Sequence, residues 1–174
     1  MIKYAGIGSR ETPAEILNYF ERLGTYFAKQ GFILRSGHAE GADLAFENGC
    51  DKARGNKEIY LPWKGFNNSG SALIVKSEDA FKIGEQFHPN WSRLSDGAKK
   101  LQARNSHQIL GENLDDPVNF VICWTKGGKK QGGTAQAIRL AEFHKVSVFN
   151  AGSYNSIEEI KKELRDFFTN LQII

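Results

Sequence analysis

The stretch Phe32-Ile33-Leu34-Arg35-Ser36-Gly37-His38-Ala39-Glu40-Gly41-Ala42-Asp43 decides the fold of this chain. A short apolar run ends at Arg35, a loop of small residues follows, and a carboxylate stands where the next helix starts. That order is the strand-to-helix crossing of a parallel sheet. A loop after a short apolar run occurs three more times. Met1 to Gly6 leads into Gly6-Ile7-Gly8-Ser9-Arg10, and Lys57 to Leu61 leads into Leu61-Pro62-Trp63. Asn119 to Thr125 leads into Gly127-Gly128 through Gly132-Gly133-Thr134. If the strands are parallel, all four loops lie along one edge of one sheet, the carboxyl edge where open α/β folds bind ligands. Glycines let backbone approach a phosphate, and helix starts offer free N–H groups, so the loops point to a nucleotide or nucleic-acid phosphate site.

Between the loops the helices follow from period and punctuation. Pro13 fits a first helical position with Thr12 as its cap, and Ile16, Phe20, Leu23 and Phe27 recur at helical spacing until Gly31. A second helix runs from Gly41 to about Ala53. The stretch from Trp63 to about Ser95 reads as irregular, with a helix near Glu78 to Gln86. Asp96 to about Gly111 and Thr134 to His144 read as helices, and Val146 to Phe149 as a fifth strand. Ile157, Ile160, Leu164, Phe167 and Leu171 define a closing amphipathic helix within about 156–171. The predicted fold is doubly wound α/β, with a mainly parallel sheet and helices on both faces.

The 174 residues, 40% hydrophobic and 25% charged, suit one domain across 1–174 with a single full core. A net charge of +3 and a pI near 8.8 permit nucleic-acid binding without requiring it. Cys50 and Cys123 lack metal-ligand spacing and read as reduced, structural thiols. There is no signal-peptide pattern and no apolar run of membrane-spanning length, so a soluble, cytoplasmic protein without membrane partners is expected. No metal site is expected from the spacing of His, Cys and acidic residues.

Each loop carries its own chemistry. Gly8, Ser9 and Arg10 offer backbone, a hydroxyl and a bidentate phosphate contact, though the same pentapeptide serves as a tight turn with a solvated arginine. In the second loop Asp43 either caps the helix start or accepts from a ribose or base edge beside a phosphate, and His38 either contacts the ligand or stands in solvent. Glu40 and Glu47 could act as acid or base only if buried. The last loop gathers Lys126, Lys129 and Lys130 with Gly132, Gly133 and Thr134 ahead of a helix, a stronger anion signal that lacks the Walker spacing of an ATPase. On the helix before it, Lys100, Arg104 and His107 fall at i, i+4, i+7 and predict a basic row beside Asn105.

Taken in order, Gly-Ser-Arg after strand one, Ser36-Gly37-x-Ala39-x-Gly41-x-Asp43, Pro62, Arg104-Asn105 and the glycine-threonine loop resemble DNA-processing protein A. The wider group is the SLOG superfamily of Rossmann-like domains, which includes the LOG-type nucleotide hydrolases and sensor domains for nucleotide-derived signals. The similarity covers about residues 1 to 150. It implies a ligand site of Gly8, Ser9, Arg10, Ser36, Gly37, His38, Gly41, Asp43, Arg104, Asn105, Gly132, Gly133 and Thr134. Trp63, Phe66 or Trp91 would stack bases. It also implies a homodimer, since such relatives commonly pair, and no cofactor. The chain departs from the pattern in three places. It has no room for the flanking domains of DNA-processing protein A, it carries Ser106 where that family usually has a second arginine, and it carries Ala137 where LOG-type enzymes place their catalytic glutamate. The expected function is therefore binding of single-stranded DNA or a nucleotide, with no catalytic residue. The alternatives are a sensor or sequestering protein for a small nucleotide signal, and an N-glycosidic hydrolase using Glu40 or Asp43.

Overall fold

A computed structural model of the chain describes residues 1–173. Six strands, β1 (Lys3–Gly8), β2 (Ile33–Ser36), β3 (Lys57–Leu61), β4 (Leu73–Ile74), β5 (Phe120–Trp124) and β6 (Ser147–Asn150), form one sheet in the order β4-β3-β2-β1-β5-β6. Every pair is parallel. The chain winds from β1 out to β4, then returns to lay β5 on the other side of β1. The loops after β1 and β5 therefore diverge at the topological switch point, where such sheets open a crevice.

Helices cover both faces. On one face α1 (Ala14–Lys29), α2 (Ala42–Lys52) and α6 (Ile157–Leu171) pack on Tyr4, Leu34, Ile59, Leu61, Phe120, Ile122 and Phe149. On the other, α3 (Glu78–Phe87), α4 (Asp96–Leu110) and α5 (Thr134–Phe143) cover Ala5, Ile7, Val121 and Cys123. Strand side chains alternate between these two cores, as the pleat requires. Cys50 and Cys123 are free and buried, and burial pushes their thiols up to about 11 and about 12. No described helix is long and apolar enough to cross a membrane.

The structure differs from the sequence reading at several joints. The stretch after Trp63 holds a further strand, β4, only two residues long and too short to carry a period. The strand Val146–Phe149 is thus sixth in order and starts at Ser147. The first glycine pair belongs to β1 rather than to a loop, with Ile7 buried in the core and Gly6, Ile7 and Gly8 paired with β5. Thr12 does not cap α1. Its hydroxyl instead donates to the Ser9 carbonyl at 2.6 Å, tightening the loop before the helix. In α6 the buried position of the last turns is Phe168, with Phe167 only partly covered.

Candidate functional site

At the carboxyl edge the loops after β1, β2, β3 and β5 meet α4 around a cleft of about 460 Å³. Gly41 sits at φ 90°, and a Cβ there would lie 2.7 Å from the Ser9 carbonyl oxygen, so only glycine lets the β2 loop rest on the β1 loop. Asp43 then ties the two. Its carboxylate accepts from the Gly8 amide at 3.2 Å and the Gly37 amide at 3.1 Å. The side chain is buried, and burial raises its pKa to about 6 against the opposing pull of Arg104 and the backbone amides.

Arg104 reaches up from α4 beneath the same loops. Its Nη1 donates to the carbonyls of Gly37 at 2.5 Å and Tyr60 at 3.1 Å, clamping the ends of β2 and β3. Its Nε donates to Asn105 Oδ1 at 3.0 Å, and its guanidinium lies 5.5 Å from the Phe66 ring centroid. Burial lowers its pKa while Asp43 opposes that shift, so the arginine stays charged at the base of the cleft. Asn105 also donates to the Gly133 carbonyl at 2.8 Å, which draws the glycine loop and the start of α5 against α4.

Of the expected ligand residues, Gly8, Ser9, Arg10, Asp43, Arg104, Asn105, Gly132, Gly133 and Thr134 line this one cleft. Ser36, Gly37, His38 and Gly41 stand behind it. The Ser36 hydroxyl donates to the Gly6 carbonyl at 2.6 Å and braces β2 on β1. His38 adopts φ 57° and turns its ring away, with Nδ1 2.7 Å from Glu47 Oε2 and Nε2 3.2 Å from the Asn67 carbonyl. Asn67 returns a bond from Nδ2 to the His38 carbonyl at 3.1 Å, so this pair fixes the Phe66–Asn67 turn over the cleft.

The aromatic residues separate. Phe66 lines the cleft, Trp63 stands edge-on to it at 5.3 Å and is 40% exposed, and neither Trp63 nor Trp91 is among the lining residues. Trp91 packs over Gly84 of α3 with the Lys99 ammonium 5.9 Å from its ring. Glu47 is buried but held by His38 and Lys57 away from the cleft, whereas Glu40 lines it and is exposed. Lys126, Lys129 and Lys130 lie outside it, and Lys130 pairs with Glu142.

The expected basic row on α4 does not form. Lys100 is exposed, but Arg104 and His107 are buried, and His107 stacks on Tyr60 with ring centroids 5.4 Å apart. Burial lowers the His107 pKa, so it is neutral. The face that meets the cleft is instead Leu101, Arg104, Asn105 and Gln108. Gln102, Gln108, Asn67 and Gln131 were not legible as site residues. The available signal was the i, i+3, i+4, i+7 spacing of the Arg104-Asn105 pair with its neighbours on a helix whose second half is wholly buried.

These features define a Rossmann-like α/β domain with a polar cleft at its switch point. No model of a known protein family and no curated protein matches the chain. Solved structures that share its fold include two from different proteins. The Moco carrier protein of Chlamydomonas rheinhardtii aligns at 18% identity and a TM-score of 0.54, over 98% of this chain and 86% of that one. DNA processing protein A of Helicobacter pylori, studied for its single-stranded DNA binding mode, aligns at 17% identity and a TM-score of 0.57, over 95% and 81%. The chain thus shares the Rossmann-like fold of these two proteins.

Proposed function

We propose that the cleft binds a phosphate-bearing nucleotide unit without cleaving it. The observation that carries this reading is the meeting of Arg10, the buried Arg104, the Phe66 ring and the start of α5 around one open cleft. Its volume of about 460 Å³ lies within the range of about 300–1,000 Å³ typical of small-molecule sites. The ten-residue helix α5 directs its free amides and positive end toward an anion seated at Gly132–Thr134. Ala137 lies buried in the apolar core under α5, so no carboxylate reaches the cleft from that position. Asp43 accepts from the Gly8 and Gly37 amides, which commits it to joining the first two loops.

A strand of single-stranded DNA is the second reading. Trp63, 40% exposed beside Phe66, offers a stacking surface where a strand would leave the cleft, and the similar DNA processing protein A supports it. On either reading the chain acts as one SLOG-type domain, and native mass spectrometry would report whether it pairs.

Equilibrium binding of a nucleoside monophosphate and of a short oligonucleotide, each across a salt series, tests both. A strand loses affinity with a log–log slope of about −0.7 per phosphate neutralised, and a single-nucleotide pocket is far less sensitive. Absence of binding to both would sink the proposal. Release of free base that vanishes in Asp43→Asn or Glu40→Gln would replace it with a glycosidic hydrolase.

A further inference from the structure

Helix α4 presents a polar stripe where a buried helix face is ordinarily apolar. Leu101, Arg104, Asn105 and Gln108 fall at i, i+3, i+4 and i+7, which aligns them along one side, and all four line the cleft. Arg104 and Asn105 have structural partners. Arg104 clamps two carbonyls, and Asn105 bridges Arg104 to the glycine loop.

Gln108 has none. It is 2% exposed, faces the cleft beside Gly37 and Arg104, and its carboxamide makes no hydrogen bond among the described residues. The little surface Gln108 keeps opens onto the cleft, so its carboxamide is free to take a partner there. The cleft is the direction from which a partner can come. Gln102 also lines the cleft, with its Oε1 accepting weakly from Asn105 at 3.4 Å and its amide protons left over.

The cleft lining therefore holds two kinds of group. One, formed by Ser9, Arg10 and Gly132–Thr134, offers charge, a hydroxyl and backbone amides. The other offers neutral carboxamides and the flat ring of Phe66. A carboxamide presents a donor and an acceptor side by side, which matches two adjacent groups on the edge of a nucleobase. A phosphate has only acceptors and a sugar hydroxyl engages one of the two.

We propose that Gln108 is the residue by which the cleft selects the base of its ligand, with the base entering toward α4 and the phosphate resting at the start of α5. The inference rests on the nucleotide reading above.

The test measures affinities of the whole chain for AMP, GMP, CMP and UMP, with ribose 5-phosphate as the base-free control. The wild-type protein is expected to rank the four over about tenfold or more, the discrimination one bidentate base contact supplies. Gln108→Met keeps length and apolar volume but removes both polar groups. It should bring the four within about threefold of one another and leave ribose 5-phosphate unchanged. Gln108→Glu exchanges the donor for an acceptor and should reorder the preference, which carries the test if the methionine variant does not fold. An unchanged ranking in a folded variant overturns the assignment. Wild-type protein that binds all five compounds equally also overturns it while leaving the phosphate reading intact. Wild-type protein that binds none of them defeats the nucleotide reading itself.

Discussion

Asn105 joins two parts of the site that the chain separates. Its Nδ2 donates to the Gly133 carbonyl at 2.8 Å while its Oδ1 accepts from Arg104 Nε at 3.0 Å. One carboxamide thereby orients the buried guanidinium and holds the glycine loop at the start of α5. On the proposed reading both anchors present donors to one anion, because a helix start binds only what its amides face.

Loss of that bridge should weaken binding more than folding. Asn105→Ala is expected to lower nucleotide affinity about tenfold, the equivalent of one charge-assisted contact plus loop disorder. Hydrogen exchange of the amides at 131–134 should quicken in the same variant. Affinity within twofold of wild type would show that the bridge does not organise the site.

Arg10 and Arg104 line the same cleft with opposite surroundings. Arg10 is exposed, so Arg10→Ala should change stability by less than about 0.5 kcal/mol while weakening binding. Arg104→Lys keeps one nitrogen for the Gly37 and Tyr60 carbonyls but loses the Nε bond to Asn105 and the guanidinium contact with Phe66, and should cost about 2–3 kcal/mol of stability as well as affinity. If both arginines hold one ligand, a double-mutant cycle on affinity will be non-additive. Strict additivity would place them on separate groups.

Thr134→Glu puts a carboxylate where the anion is proposed to sit. A negative charge in the first turn of α5 suits the helix dipole, so the thermal midpoint should hold or rise slightly. Nucleotide binding should disappear. Retained affinity, measured by calorimetry on the folded variant, would remove this loop from the site.

Asp43 makes stability fall as pH rises. Its pKa is about 6 in the folded protein against 3.8 for the free side chain, so the protonated form is favoured by folding. The stability it preserves is complete below about 3.8 and is lost as pH climbs through about 6. Asp43→Asn abolishes that dependence. From pH 4 to pH 7 the variant should gain about 3 kcal/mol relative to wild type, two pKa units converted to free energy, in urea unfolding. A stability difference that stays constant across this range would show that Asp43 is ionised throughout.

The sequence by itself determined the doubly wound fold and the sheet edge at which its loops gather. Glycine loops after apolar runs, helix periods and turn residues are local signals, and each acts within about one element. They located β3, α3, α4 and α6 to within a residue or two, and they named nine residues that the fold gathers around one cleft. They missed β4, whose two residues pair only because β3 is beside them.

The tertiary structure decided which side of each residue faces what. Ser36 and His38 share a loop with Asp43, yet their side chains are committed to Gly6 and Glu47 and leave the cleft to Asp43. Lys100, Arg104 and His107 share a helical stripe, but packing of α4 on the sheet buries two of them and sets Gln108, 71 residues from Gly37 in sequence, against that glycine at the base of the site. Burial and hydrogen-bond partnership arise from contacts between distant segments, and no local spacing encodes them.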